Sequence, residues 1–319
     1  MNGIRPTGRA LLGALVSGAL ATGAIGGAAP AEASCFSVFG LGNGNGCTST
    51  PATYAIGIGS GAQASATGLF GGALAIGNNA TATMTPVGLS AFNFATAIGD
   101  NAIAQGFVSL FGIALQIGPG TAATLGFADI AVGVNQGLGN QAAVTGIGGI
   151  AVQLGSGSAN NIGGFSIAMS VGGGTETSGF GVLALNLLSS SVVRAGGSLS
   201  AAVNVLGYDN LVAVGGGSPV NSVLNLAVAA FGRGNTVSAG PGPLAFAGSI
   251  LQRGATVARA GTGFNINGLA VPGEASTPRR AATSAAAKAP AVATSTAAAP
   301  AQRPTVRAIS SRAPSKNAR

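Results

Sequence analysis

From Thr53 to Leu269 the chain alternates apolar and small side chains in short runs, and each run stops at glycine or asparagine. In "ALAIGNNATAT", Leu74 and Ile76 fall on one side and Ala73 and Ala75 on the other, the period-two pattern of a strand. No helical stripe accompanies it. The glycines and asparagines that close each run tolerate left-handed backbone angles that cost other residues more, so they mark tight corners. Asn78, Asn79, Asn101, Asn140, Asn160, Asn161 and Asn235 fall in or near such corners. Stacked amides there are expected to hydrogen-bond from one turn of the chain to the next.

The runs recur. "YAIGIGSGAQASATG", "LAIGNNATAT", "TAIGDNAIAQG" and "LQIGPGTAATLG" share a form, apolar-x-apolar-Gly followed by small and polar residues; "VQLGSGSANNIG" and "AAFGRGNTVSAG" repeat it loosely. The marker glycines Gly57, Gly77, Gly99, Gly118, Gly133, Gly155 and Gly172 recur at uneven intervals that average about nineteen positions. Short strands, tight corners and a period of that length predict an all-β fold, a parallel β-solenoid of the β-roll or β-helix kind. The stretch from Thr53 to Leu269 makes about 11 coils, a stack of roughly 50 Å at a strand spacing of about 4.8 Å. One large apolar residue falls in the middle of most coils: Phe70, Phe92 or Phe94, Phe111, Phe127, Ile147, Phe165 and Phe180. These are expected to stack inside the lumen as an apolar spine, surrounded by Ala, Val, Ile and Leu.

Composition agrees that something packs. Of 319 residues, 56 are glycine and only 20 are charged, while 47% are apolar and the mean hydropathy is +0.53. The segment 1–33 reads as an export signal: Arg5 and Arg9 supply the basic region, Ala10 to Ile25 the apolar stretch, and Ala31-Glu32-Ala33 a small-x-small cleavage site before Ser34. Glu32 and Ser34 do not fit a lipoprotein signal around Cys35. The segment 34–52 is Gly-rich, and in it Cys35 and Cys47, the only cysteines, bracket a flexible loop. In an exported chain the expectation is a Cys35–Cys47 disulfide that pins the edge of the fold and constrains the unfolded chain by about 3 kcal/mol.

Charge separates the repeat region, 53–271, from the remainder. Between Ser34 and Val271 four acids and four bases cancel; from Pro272 onward one acid, Glu274, faces eight bases. Those bases are Arg279, Arg280, Lys288, Arg303, Arg307, Arg312, Lys316 and Arg319. The segment 272–319, rich in Ala, Pro, Ser and Thr, is expected to be a disordered basic tail. Such a tail suits anionic partners: cell-wall polymers, lipid head groups or glycosaminoglycans, held with an affinity that falls as salt rises. It has no aromatic residue to stack on bases, so no specific nucleic-acid partner is expected.

The segments "AIGDNAIAQG", "AIGNNATAT" and "AIGIGSGAQASATG" resemble the head repeats of YadA-type trimeric autotransporter adhesins, whose left-handed parallel β-roll is built from AIG-x-x-A-x-A-x-G units. The resemblance covers residues 53–126 and implies a surface-displayed β-roll. The coil here is longer than that family's repeat, and no neck motif, heptad stalk or anchor strands accompany it, so trimerisation and outer-membrane anchoring are not carried over. The Gly/Ala excess, "FGLGNGNG" and the Ala/Pro/Arg-rich tail also resemble glycine-rich repeat proteins exported by mycobacteria and related actinobacteria, though without their glycine-triplet repeats. That implies a secreted or cell-envelope protein.

Catalysis on a solenoid needs grouped carboxylates or a calcium site. None of the intervals that separate Asp100, Asp129, Glu176 and Asp209 is close to the period that stacks neighbours on adjacent coils. The chain has no histidine and no tryptophan, and Tyr54 and Tyr208 are far apart. No catalytic residue, cofactor or metal site is therefore assigned. The expected function is a non-enzymatic structural or adhesive element of the cell surface, with self-association through the solenoid ends as a further expectation. The alternatives are a carbohydrate-active solenoid lyase or hydrolase and a membrane β-barrel, although strands of about 10 residues suit a barrel better than these short ones.

Overall fold

The computed structural model describes residues 34–43, 45–85, 90–215 and 222–271. The export signal and the basic tail, with its eight cations, lie outside the described residues. Within them the regular structure is entirely β, 25 strands and no helix. The chain winds as a two-sided parallel solenoid of twelve turns, one more than the period arithmetic gives. Each turn contributes one strand to a front ladder, which runs from Thr53–Ile58 to Gly263–Ile266, and one to a rear ladder, which runs from Cys47–Ser49 to Thr256–Arg259. Two long strands, Ile150–Gly164 and Ile167–Phe180, round a corner and serve both ladders.

Register shows what the repeat encodes. In the front ladder eleven alanines from successive turns stack in line: Ala55 pairs with Ala73, Ala73 with Ala95, Ala95 with Ala114, and so on to Ala227 with Ala247. The average step from Ala55 to Ala247 matches the period of the sequence. All eleven are buried. The rear ladder stacks Ala64, Ala82, Ala104, Ala122, Ala142 and Ala159, then continues through Thr175 to Val193, Val212, Val237 and Val257. Methyl groups facing methyl groups along these columns leave a thin lumen, whose largest fully buried side chains are the slender Met84, Gln116, Gln136 and Gln153.

The expected aromatic spine is therefore on the wrong side. Phe70, Phe92, Phe94, Phe111, Phe127, Ile147, Phe165 and Phe180 do recur along the turns, but all stand outside, between 42% and 61% exposed. Among the described residues no Ile or Leu is buried in the lumen either; its larger occupants are Met84, Val, a few amides and, at the C-terminal end, Arg259. The physical reason is width: a lumen set by alanine has no volume for a phenyl ring.

Polar side chains lock the corners. At one corner a side-chain oxygen accepts the backbone N–H of the turn that follows: Asn93 from Gly112 (2.7 Å), Asp129 from Gly149 (2.9 Å), Ser166 from Val182 (3.2 Å) and Asn225 from Ala245 (2.8 Å). At another, Ser191, Asn210 and Asn235 accept from Asn210, Asn235 and Ala255 in the same way, at 2.9 to 3.0 Å. The amide stacking foreseen for Asn235 is thus present, joined by Asn204, whose Nδ2 donates to Asn186 Oδ1 (2.9 Å).

Both ends of the front ladder are covered. Cys35–Val38 pairs antiparallel with Thr53–Ile58, and Leu269–Val271 turns back antiparallel on Gly263–Ile266. The Cys35–Cys47 disulfide forms as expected, with Cα atoms 5.4 Å apart, and ties the first of these caps to the first rear strand. Its sulfurs lie over Gly57, where a Cβ would sit 2.6 Å from Cys35 Sγ. At the other end the buried Arg259 fills the lumen and donates to the Thr262 carbonyl.

Candidate functional site

The chemistry-bearing side chains are engaged in structure. Asp100 accepts from the backbone and side-chain amides of Asn78, both at 3.0 Å. Glu176 pairs with Arg194 (3.3 Å) and Asp209 with Arg233 (3.7 Å), one turn apart on exposed surface, where such pairs contribute little. Asp129 is fully buried, and burial pushes its carboxyl up from 3.8 to about 6; hydrogen bonds from the Gly149 and Gly146 amides pull the other way. Among the described residues no three His, Cys, Asp or Glu side chains gather into a metal-binding group.

The outstanding surface feature is apolar. Because the inward positions of the front ladder carry alanine in one column and Gly, Ala, Ser, Asn or Gln in the next, the outward positions carry the aliphatic residues. In the central column Ile56, Leu74, Thr96, Leu115, Val132 and Val152 stack in register and Met169, Leu185, Val203 and Val228 continue the line. Columns on either side hold Phe94, Ile113, Ile130, Ile150 and Ile167, and Ile76, Ile98, Ile117, Val134 and Leu154. Among the described residues no charge lies on the front segment of a strand. The rear sheet is more mixed: Thr48, Ser65, Thr83, Gln105, Ala123, Ala143, Asn160, Glu176 and Arg194 point outward along one column, with Leu125, Ile162, Val192 and Leu211 exposed beside it. At about 4.8 Å per turn and about 3.3 Å per residue, the front face measures about 55 by 16 Å, or about 900 Å². Monomeric proteins seldom expose an apolar patch above about 600 Å².

A ridge borders this face along one corner. Phe70, Phe92, Phe111, Phe127, Ile147, Phe165, Phe180, Leu199, Leu224 and Leu244 supply one large side chain per turn, each 44% to 61% exposed. Phe70 and Phe92 stack with centroids 5.4 Å apart and planes at 17°, and Phe92 and Phe111 at 5.1 Å and 6°. The faces of these three rings are largely spent on one another, while Phe111 and Phe127 (6.0 Å, 80°) and Phe165 and Phe180 (5.5 Å, 75°) meet edge to face, so no row of parallel open faces lines the ridge. A sugar platform needs open ring faces. Seven ridge residues, Phe70 (φ 54°), Phe92 (φ 56°) and Phe111 (φ 65°) among them, hold left-handed backbone, which costs a bulky residue about 1 kcal/mol or more. At the C-terminal end ridge and face meet in a shallow apolar depression of about 500 Å³ lined by Leu244, Phe246, Thr262, Gly263, Phe264 and Ile266.

Comparison with family models, with curated proteins and with solved structures finds no match to this chain. Sequence reasoning found the period of the ridge and the disulfide, and missed the apolar face. The missed signal was alanine at one fixed position in eleven successive front strands.

Proposed function

We propose that this chain is an exported, non-enzymatic structural or adhesive element of the cell surface: a solenoid that displays its flanks while its cationic tail holds anionic envelope or host polymers. The observation that carries the reading is the inverted solenoid, with small residues inside and large apolar ones outside. Every acid and two of the four bases of the described residues serve corners or surface pairs, and most large apolar side chains, kept out of the chain's own core, are left to contact something else. The Cys35–Cys47 bridge fits an oxidising compartment. For the tail, eight cations against Glu274 give a strong and salt-sensitive attraction to polyanions.

The test compares the full chain with one ending at Val271 by cell fractionation in low and high salt. Retention of the full chain in the envelope, its release by salt, and loss of the truncated chain to the medium are expected. Equal retention of both forms at both salt concentrations overturns the electrostatic anchor.

A further inference from the structure

The partner of the apolar face can be named by its chemistry, on the reading that the solenoid is a surface scaffold. We infer that a second copy of this chain covers it, the two solenoids lying side by side with ridge and front face turned toward one another.

Three observations point to this occupant. The face offers about 900 Å² from one molecule, against about 800 Å² per partner in a standard stable interface. Its charge pattern does not suit a lipid surface. Elements that lie on membranes carry a row of Lys or Arg beside the apolar stripe to meet head groups, whereas the corner beside the front strands has Arg233 and Arg253 only toward the C-terminal end, offset by Asp100 and Asp209, and the charges of the described residues cancel. The ridge, finally, is ordered at a cost. Gly148 and Gly181 show that glycine serves at this corner without strain, yet seven of ten turns place Phe or Leu there in left-handed backbone. Large side chains in strained backbone, one per turn at a repeat of about 4.8 Å, form an ordered template. A fluid surface requires no such order, while a second solenoid has the same repeat and can seat its side chains between the rungs of the first. Covered ends on the front ladder steer the contact to the flank rather than the ends.

Sedimentation of the full chain over about a hundredfold range of concentration tests the inference. The wild-type chain is expected to be an oligomer whose dissociation constant rises by about a hundredfold or more in Val132→Lys, a change on the outward centre of the face. Thr83→Lys, on the outward rear column, is expected to leave it unchanged. The double variant Phe92→Gly, Phe111→Gly relieves the left-handed strain, so it is expected to keep the β-sheet circular dichroism and melting temperature of the monomer while weakening association. A monomeric wild type, assembly unaffected by both sets of substitutions, or a monomer that instead floats with neutral phosphatidylcholine vesicles overturns the inference. Each of those results leaves the salt-dependent retention of the tail to stand or fall separately.

Discussion

At the scale of single residues, Asp129 and one column of glycines carry the strongest physical constraints. Asp129 accepts the Gly149 amide at a corner where Asn93 and Asn225 do the same for their own turns without a charge. Its carboxyl is held at about 6, above its ordinary 3.8, because burial penalises the anion. The folded state thus binds the proton more tightly than the unfolded chain, and stability falls as pH rises from about 4 to about 6, then levels off. The loss is at most about 3 kcal/mol. Asp129→Asn keeps the acceptor and removes the charge, so its melting temperature at pH 7 should exceed that of the wild type, and the difference should vanish near pH 4. The second constraint is a column of glycines, Gly126, Gly146, Gly163, Gly179 and Gly197, each paired with the next. A Cβ at Gly163 would overlap the carbonyl oxygen of Gly179, and the backbone there is left-handed at φ 140°. Gly163→Ala is expected to destabilise the solenoid by about 2 kcal/mol or more in chemical denaturation.

At the scale of the strand, the alternation of small and large residues fixes which positions share a side, but hydropathy alone assigns the sides the wrong way round. Ile, Leu and Phe are the natural candidates for an interior, and Phe111 or Ile147 taken singly reads as core. The information that decides the matter is variance. From Ala55 to Ala247 the inward position is alanine in eleven consecutive turns, a limit on volume, whereas the outward position beside it passes through Ile, Leu, Thr, Val and Met. The second inward position varies too, from Gly133 to Gln116 and Gln153, but it holds no branched aliphatic or aromatic residue, whereas the outward position holds a bulky apolar one in most turns. The disulfide was legible because two cysteines share a short loop, and the period because glycine recurs. The burial of Asp129 was not, since it depends on register between turns of unequal length. Ala131→Leu, pointing inward, should cost about 1–3 kcal/mol by overpacking, while Val132→Ala beside it should shift monomer stability by less than about 1 kcal/mol. Urea titration of the two variants under monomeric conditions separates them.

At the scale of the solenoid, stability is a sum over stacked turns and the contacts between neighbours, so whole turns are interchangeable where their registers match. Ile150 and Ile167 occupy equivalent positions on adjacent turns, as do Ala151 and Ala168. Removing the segment 151–167 joins Ile150 directly to Ala168 and leaves every following side chain on the side it had before. This variant should retain the β-sheet spectrum, melt close to the parent, and be shorter by one strand spacing of about 4.8 Å in small-angle scattering. Removing the segment 151–166 instead places Ile167 where Ala151 stood. The rest of that strand then turns over, driving Ile167 and Met169 into a lumen sized for alanine and turning Ala168 outward. Two deletions that differ by a single residue should therefore give a folded, slightly shortened solenoid in one case and a grossly destabilised chain in the other. Equal melting temperatures for the pair would mean that the alanine column does not set the register of the coils.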